Sequence, residues 1–266
     1  MKLRTLIEKP TVRFLCGFVA VCFWIGVWWG VAAAIGKPLL LPTPPAVLKR
    51  LLELAVTAEF WKIAALSLGR ILYGILLSVA IGVPLAVLTA LLPPVRILLN
   101  PLMTAIRATP VAAFIILIWL WIGKDDVPTI ITVLIALPVV WKNVETGIVG
   151  IPQPLFEMAR SFRVPLWKRV WTLDIPAVLP AFRAALETAI GLGWKAGVAA
   201  EILVRPALAI GREISDANYN LESVDLFAWT LTVILLSLVI ERLFALLLSG
   251  KRRKTNAAKT QEEDAV

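Results

Sequence analysis

Six stretches of this chain, residues 14–35, 64–92, 101–123, 128–149, 177–204 and 226–249, are almost unbroken apolar runs. A bilayer core of about 30 Å takes roughly 20 helical residues, so each run is long enough to cross one. Inside lipid a backbone must satisfy its own N–H and C=O groups, which leaves helices as the spanning element for runs of this length. The expected fold is therefore all-α and integral to a membrane, with six transmembrane helices. Charges interrupt the second, third and fifth runs: Arg70, Arg107, Arg183, Glu187 and Lys195. The first run follows a basic start but is longer than the apolar core of a signal peptide. No small-residue cleavage site follows it, so we read it as an uncleaved span.

Composition narrows the chemistry. Hydrophobic residues make up 59% of the chain and charged ones 17%, against about a quarter in a soluble domain. Histidine is absent, which excludes mechanisms that need an imidazole base or ligand. Cys16 and Cys22 sit six residues apart in one apolar run, on different helix faces. The net charge of +9 belongs to membrane flanks rather than to nucleic-acid binding, so lipid is an expected partner and nucleic acid is not. With the N-terminus inside, cytoplasmic segments hold 14 Lys and Arg against 7 outside. Both termini are thus expected in the cytoplasm, with Lys-Arg-Arg-Lys at 251–254 as the strongest vote. The chain reads as one transmembrane domain, 1–250, followed by a polar cytoplasmic tail, 251–266.

Three connections are long. Residues 36–63 open with Gly-Lys-Pro-Leu-Leu-Leu-Pro-Thr-Pro-Pro, which no helix crosses. An amphipathic stretch follows, with Val47, Leu51, Leu54 and Ala55 on one side, expected to lie along the outer interface. Residues 205–225 read as an outer loop with four carboxylates. Residues 150–176 form the one substantial inner loop. There Phe156–Phe162 makes two helical turns, Pro165 breaks them, and 166–172 makes a second short helix grouping Trp167, Val170 and Trp171. Pro176 is expected to restart the chain into the fifth span. Such a loop is either an amphipathic connector on headgroups or a knob for a cytoplasmic partner.

Within it, Glu157-Met158-Ala159, three residues, Arg163, nine residues and Leu173-Asp174-Ile175-Pro176 keep the spacing of a known signature. The loop resembles the coupling loop of permease subunits of ATP-binding-cassette importers, where the pattern is Glu-Ala-Ala, Gly and Ile-x-Leu-Pro. It departs at Met158 and at Arg163, where the family has glycine. Glycine supplies a left-handed turn there that arginine adopts at a cost, so the turn is expected to shift toward Val164-Pro165. The Leu-Pro-Thr-Pro-Pro segment, Ser67, Arg70, Gly74 and Gly82, the Arg107-Ala108-Thr109-Pro110 turn, Asn143, Gly147 and Gly-Leu-Gly-Trp-Lys-Ala-Gly at 191–197 are similar to the nitrate, sulfonate and taurine branch.

The resemblance implies a six-span permease with its cytoplasmic coupling loop between the fourth and fifth spans. It implies a second permease copy, separate cytoplasmic ATPase subunits and an extracytoplasmic solute-binding protein, in a prokaryotic plasma membrane. Coupling to the ATPase would fall to Phe156, Glu157, Met158, Ala159, Arg160, Phe162, Arg163 and Leu166. Glu157 and Arg160 would make polar anchors, and Phe156, Ala159, Phe162 and Leu166 would fill the partner's groove. No Gly-x-x-x-x-Gly-Lys-Ser/Thr segment occurs, so ATP and Mg belong to the partner and no cofactor is expected on this chain. The chain is a transport subunit, not an enzyme.

Ionisable groups within spans are costly and face protein or water. The candidates for the translocation path are Arg107, Lys142, Asn143, Glu187, Trp194 and Lys195. The competing reading is structural pairing. Arg183 and Glu187 are four apart, Glu145 is three from Lys142, and Arg70 and Glu201 lie near span ends where they could snorkel. Gly191, Gly193 and Gly197, around Lys195, would allow close helix approach or a local break. A cationic lining would suit a small anion such as nitrate, sulfonate, taurine or bicarbonate. A permease for a small organic nutrient, such as a thiamine-precursor pyrimidine, is the alternative. A secondary transporter would need ion-coupling residues and usually more spans.

Overall fold

The computed structural model describes the backbone of residues 10–249 and the side chains of 15–246. The basic residues before Pro10 and the 251–254 cluster, which carried the orientation reading, lie outside the described residues. Among the described residues every regular element is helical. In order these are α1 (Pro10–Ile35), α2 (Pro44–Ala55), α3 (Ala58–Leu91), α4 (Pro93–Ala108), α5 (Val111–Trp119), α6 (Val127–Val149), α7 (Gln153–Ser161), α8 (Leu166–Arg169), a π-turn (Val170–Asp174), α9 (Ile175–Val204), α10 (Ile210–Tyr219) and α11 (Ser223–Ser249).

Five helices are long and apolar enough to span a membrane, and a sixth candidate is the α4–α5 pair, bent by 100°. The third apolar run is therefore not one straight helix. Its break falls at Thr109-Pro110, where proline pushes the residue before it out of the helical region; Thr109 has ψ 132°. The fifth span departs from expectation in the opposite sense. Pro176 does not restart the chain, because Leu166–Val204 runs on as one 39-residue candidate span. Pro176 lacks an N–H and its ring would collide with a carbonyl four residues back. The π-turn widens the helix just before it, and the Ile175 N–H reaches back to the Val170 carbonyl. The 205–225 segment is also more ordered than a loop, since Ile210–Tyr219 is helical.

The chain packs as two units. The first comprises residues up to Trp61 together with Glu213–Thr232. In it Trp28 stacks on Phe227 at 5.8 Å and donates its indole N–H to the Pro42 carbonyl at 3.1 Å. Val47 is buried, with Leu51, Leu54 and Ala55 half-covered beside it, as the amphipathic pattern of α2 requires. At the edge of that face Arg50 grips Asp225 with two parallel bonds, Nε–Oδ1 at 2.6 Å and Nη2–Oδ2 at 2.8 Å. This hydrogen-bonded carboxylate raises the guanidinium above its already high ordinary value.

The second unit comprises Lys62–Arg212 and the chain from Val233 on. Its centre is α9 against α6, with α3 alongside. One apolar cluster joins Ala86, Met103, Val140, Trp141, Val144 and Ala189. Trp141 is fully buried there and donates to the Thr89 hydroxyl at 3.0 Å. Another joins Ile71, Ile75, Ile190, Trp194, Val198 and Ile240. Close approach of α9 depends on glycine: a Cβ on Gly197 would sit 2.6 Å from Ile71 Cγ1 and 2.8 Å from Thr132 Oγ1.

Candidate functional site

The 150–176 segment folds from two constraints in its sequence, prolines at its start and a turn at its middle. Pro152 caps α7, and α7 ends in a left-handed residue, Arg163, with φ 48°. The Val164 N–H bonds the Ala159 carbonyl at 2.9 Å and the Arg163 N–H bonds the Arg160 carbonyl at 3.0 Å. This is the Schellman pattern that glycine usually serves. The expectation that the turn would slide to Val164-Pro165 is thus corrected. Two backbone bonds close on Arg163 itself and offset its left-handed cost, and extended Pro165 then starts α8.

The loop divides its side chains in two. Ala159 is buried, and Phe156 is half-buried beneath the Arg169 guanidinium at 5.2 Å. Ala159 is taken up within the loop, and Phe156 is shared between the loop and its surface. Glu157, Met158, Arg160, Phe162, Arg163 and Leu166 are exposed. Phe162 is 77% and Leu166 72% exposed, joined by Trp167 and Trp171 with ring centres 6.4 Å apart. A groove of about 480 Å³ runs between Met158, Phe162 and Val164 on one side and Arg169, Thr172 and Leu173 on the other.

Within the spans the charges sort into paired and unpaired. Lys142 Nζ lies 2.8 Å from Glu145 Oε2, as the i,i+3 spacing allowed. Glu145 is 1% exposed and has a second cation that sequence spacing did not reveal, Arg96 Nε at 2.8 Å from Oε1. That N–H is not aimed at the oxygen, which accepts no hydrogen bond. The snorkelling reading of Arg70 and Glu201 is overturned. Glu201 is fully buried, accepts from Ser67 Oγ at 2.9 Å and from the Gly211 N–H at 3.1 Å, and stands 3.7 Å from Arg70. Arg183 and Glu187 form no pair, and Arg183 Nε is buried without a hydrogen-bond partner among the described residues.

The path candidates scatter by face. Asn143 is half-buried and spends its amide N–H on the Val139 carbonyl. Trp194 is 2% exposed inside the α3–α9–α11 cluster, its N–H without a hydrogen-bond partner among the described residues. Arg107, Glu187 and Lys195 are exposed and make no ion pair among the described residues. On α9 the exposed stripe runs Ala184, Glu187, Thr188, Leu192, Lys195, opposite buried Ala185, Ala189, Gly193 and Gly197. The chain therefore leaves one mid-span face of α9 open, with one cation and one carboxylate on it.

Residues 82–253 match the model of the binding-protein-dependent transport system inner membrane component. The chain belongs to that family. It is 28% identical over 223 residues to the taurine transport system permease protein TauC of Escherichia coli, covering 81% of this chain and 80% of that one. To the putative aliphatic sulfonates transport permease protein SsuC of Bacillus subtilis it is 28% identical over 203 residues, covering 75% and 73%. To the bicarbonate transport system permease protein CmpB of Synechococcus elongatus it is 28% identical over 189 residues, covering 70% and 67%. The chain is a multi-pass inner membrane permease subunit of an ATP-binding-cassette importer, a transport subunit without a catalytic role of its own.

Proposed function

We propose that two copies of this permease enclose the path of a small anion, with both termini in the cytoplasm and the 150–176 segment seated on a separate ATPase. Reporter fusions at 36–45 and at the tail should then report opposite sides. The solute class is nitrate, bicarbonate, a sulfonate, or taurine, whose sulfonate is the anionic group, delivered by an extracytoplasmic binding protein. Taurine, sulfonate and bicarbonate are what the three relatives' names print.

The observation that carries the anion reading is Lys195. It is exposed on a mid-span face and has no ion-pair partner among the described residues, whereas Lys142 already lies 2.8 Å from Glu145. A bare ammonium in lipid is costly, so that face belongs against water or another protein. In a low-dielectric wall a cation draws a passing anion far more strongly than in water. Glu187, two turns away on the same stripe, limits how tightly it holds. Lys195→Gln should lower uptake of the transported anion on the order of tenfold, about 1.4 kcal/mol. Its melting temperature should not change, and Lys195→Arg should keep part of the activity. Uptake of taurine, an alkanesulfonate and bicarbonate by reconstituted complex measures this. Unchanged uptake in Lys195→Gln removes the path role.

The docking reading rests on the exposed Phe162 and Leu166 beside Glu157 and Arg160. Phe162→Ala should weaken ATPase binding by about 2 kcal/mol, as for a buried aromatic anchor. A pull-down of equal strength would count against it.

A further inference from the structure

The Arg96–Glu145 contact is placed where neither helix would want it for its own sake. Arg96 lies in the first turn of α4, the positive end of that helix, and α4 has no acidic residue there. Glu145 lies one turn from Val149, where α6 ends and its dipole is negative. Each charge is unfavourable on its own helix and favourable across the gap. Lys142 already neutralises Glu145 from within α6, so charge balance alone does not call for a second cation. Arg96 brings something Lys142 does not, an ion contact between two helices.

Those helices have different tasks. After Glu145, α6 ends at Val149, buried Ile151 follows, and α7 begins at Gln153. From Arg96, α4 runs to Ala108, where the 100° break begins. Further along the same contact, Met103 and Ile106 of α4 pack on Val140, Trp141 and Val144 of α6. The joint is therefore a polar clamp at the α7 end with an apolar bearing beyond it.

We infer that Arg96 and Glu145 are positioning residues which pass movement of the 150–165 segment from α6 to α4, and so to the break at Thr109-Pro110. This rests on the docking of that segment to an ATPase proposed above. Held rigidly, α4 follows the end of α6. With the clamp cut, the ATPase cycles while α4 no longer follows.

The test is the number of ATP molecules hydrolysed per solute carried, in proteoliposomes holding the whole importer. If wild-type chain neither binds nor stimulates an ATPase, the docking reading fails and the clamp is not the cause. Given a coupled wild type, Arg96→Gln and Glu145→Gln should each raise that ratio several-fold, and the double variant should do no more than either alone. The exchange Arg96→Glu with Glu145→Arg should restore part of the coupling, and Arg96→Lys should retain it. The complex should assemble in every case. Thermal stability that falls additively while the ratio stays at the wild-type value would overturn the inference. So would an exchange variant no better coupled than the single ones.

Discussion

Among the described residues, non-glycine residues enter the left-handed region in three turns, at Arg163, at Arg205 with Leu208, and at Leu221, and the first two are held in opposite ways. The turn after α7 places Arg163 at φ 48° and closes it with two bonds of its own backbone. The turn after α9 places Arg205 at φ 54° and Leu208 at φ 48°. There the Arg205 N–H bonds the Glu201 carbonyl, as a helix cap does, but the rest is tethered by side chains from elsewhere. Arg70 donates to the Ala207 and Leu208 carbonyls, Asp125 accepts from the Ala207 N–H, Ser67 from the Ile210 N–H and Glu201 from the Gly211 N–H. The first turn is closed within its own segment. The second is fastened by α3, by the segment before α6 and by α9, so strain of about 1–3 kcal/mol per left-handed residue is overcome by tertiary bonds.

The largest expected effect is therefore in the tethered turn. A Cβ on Gly211 would lie 2.4 Å from Glu201 Cβ and 2.5 Å from the Ile202 nitrogen, backbone that has nowhere to go. Gly211→Ala should cost about 3 kcal/mol, the upper range for overpacking. It should lower the melting temperature of purified protein and the folded yield. A normal yield would mean the turn is free to move.

Ser67→Ala comes next. Its hydroxyl both donates to Glu201 and accepts from Ile210, so removal strands two buried polar groups. The expected loss is about 2 kcal/mol, within the range for unsatisfied buried groups. Ser67→Thr, which keeps the hydroxyl, should recover part of it. If alanine and threonine melt alike, the bonds contribute little and the contrast between the turns weakens.

How much of this could be seen in the sequence follows the same division between local and distant. Hydropathy located the spans, because that signal is local; the break at Thr109-Pro110 was not read from it, since the third run passes as one apolar stretch across the proline. The faces of α2 and the close approach at Gly193 and Gly197 also followed from spacing. Pro176 misled, since a π-turn can absorb a proline that an α-turn cannot. Helix α10 was hidden because it is polar and short. The partners of the buried carboxylates were not readable at all: Ser67 and Glu201 are 134 residues apart, and no periodicity links them. Lys142 with Glu145 was readable because it lies within one helix turn; Arg96 with Glu145 was not.

The smallest effect sharpens the comparison most, because its sign separates the two modes of holding a turn. Arg163 is exposed and its side chain makes no hydrogen bond or ion pair among the described residues. Arg163→Gly therefore removes the steric penalty of an L-residue at positive φ and removes no tether. Glycine enlarges the freedom of the unfolded chain, which takes back part of the gain. The net expectation is a stabilisation of about 1 kcal/mol, near the lower value for a left-handed residue. Amide exchange at Arg163 and Val164, whose N–H groups close the turn, should slow about fivefold, since tenfold corresponds to about 1.4 kcal/mol. Faster exchange would show that the arginine side chain holds this turn after all, as side chains hold the turn after α9. The same change bears on function through the exposed surface, because Arg163 stands beside Arg160 and Phe162. If ATPase binding falls while the turn grows more protected, the guanidinium serves the docking surface and the strain is kept for its sake.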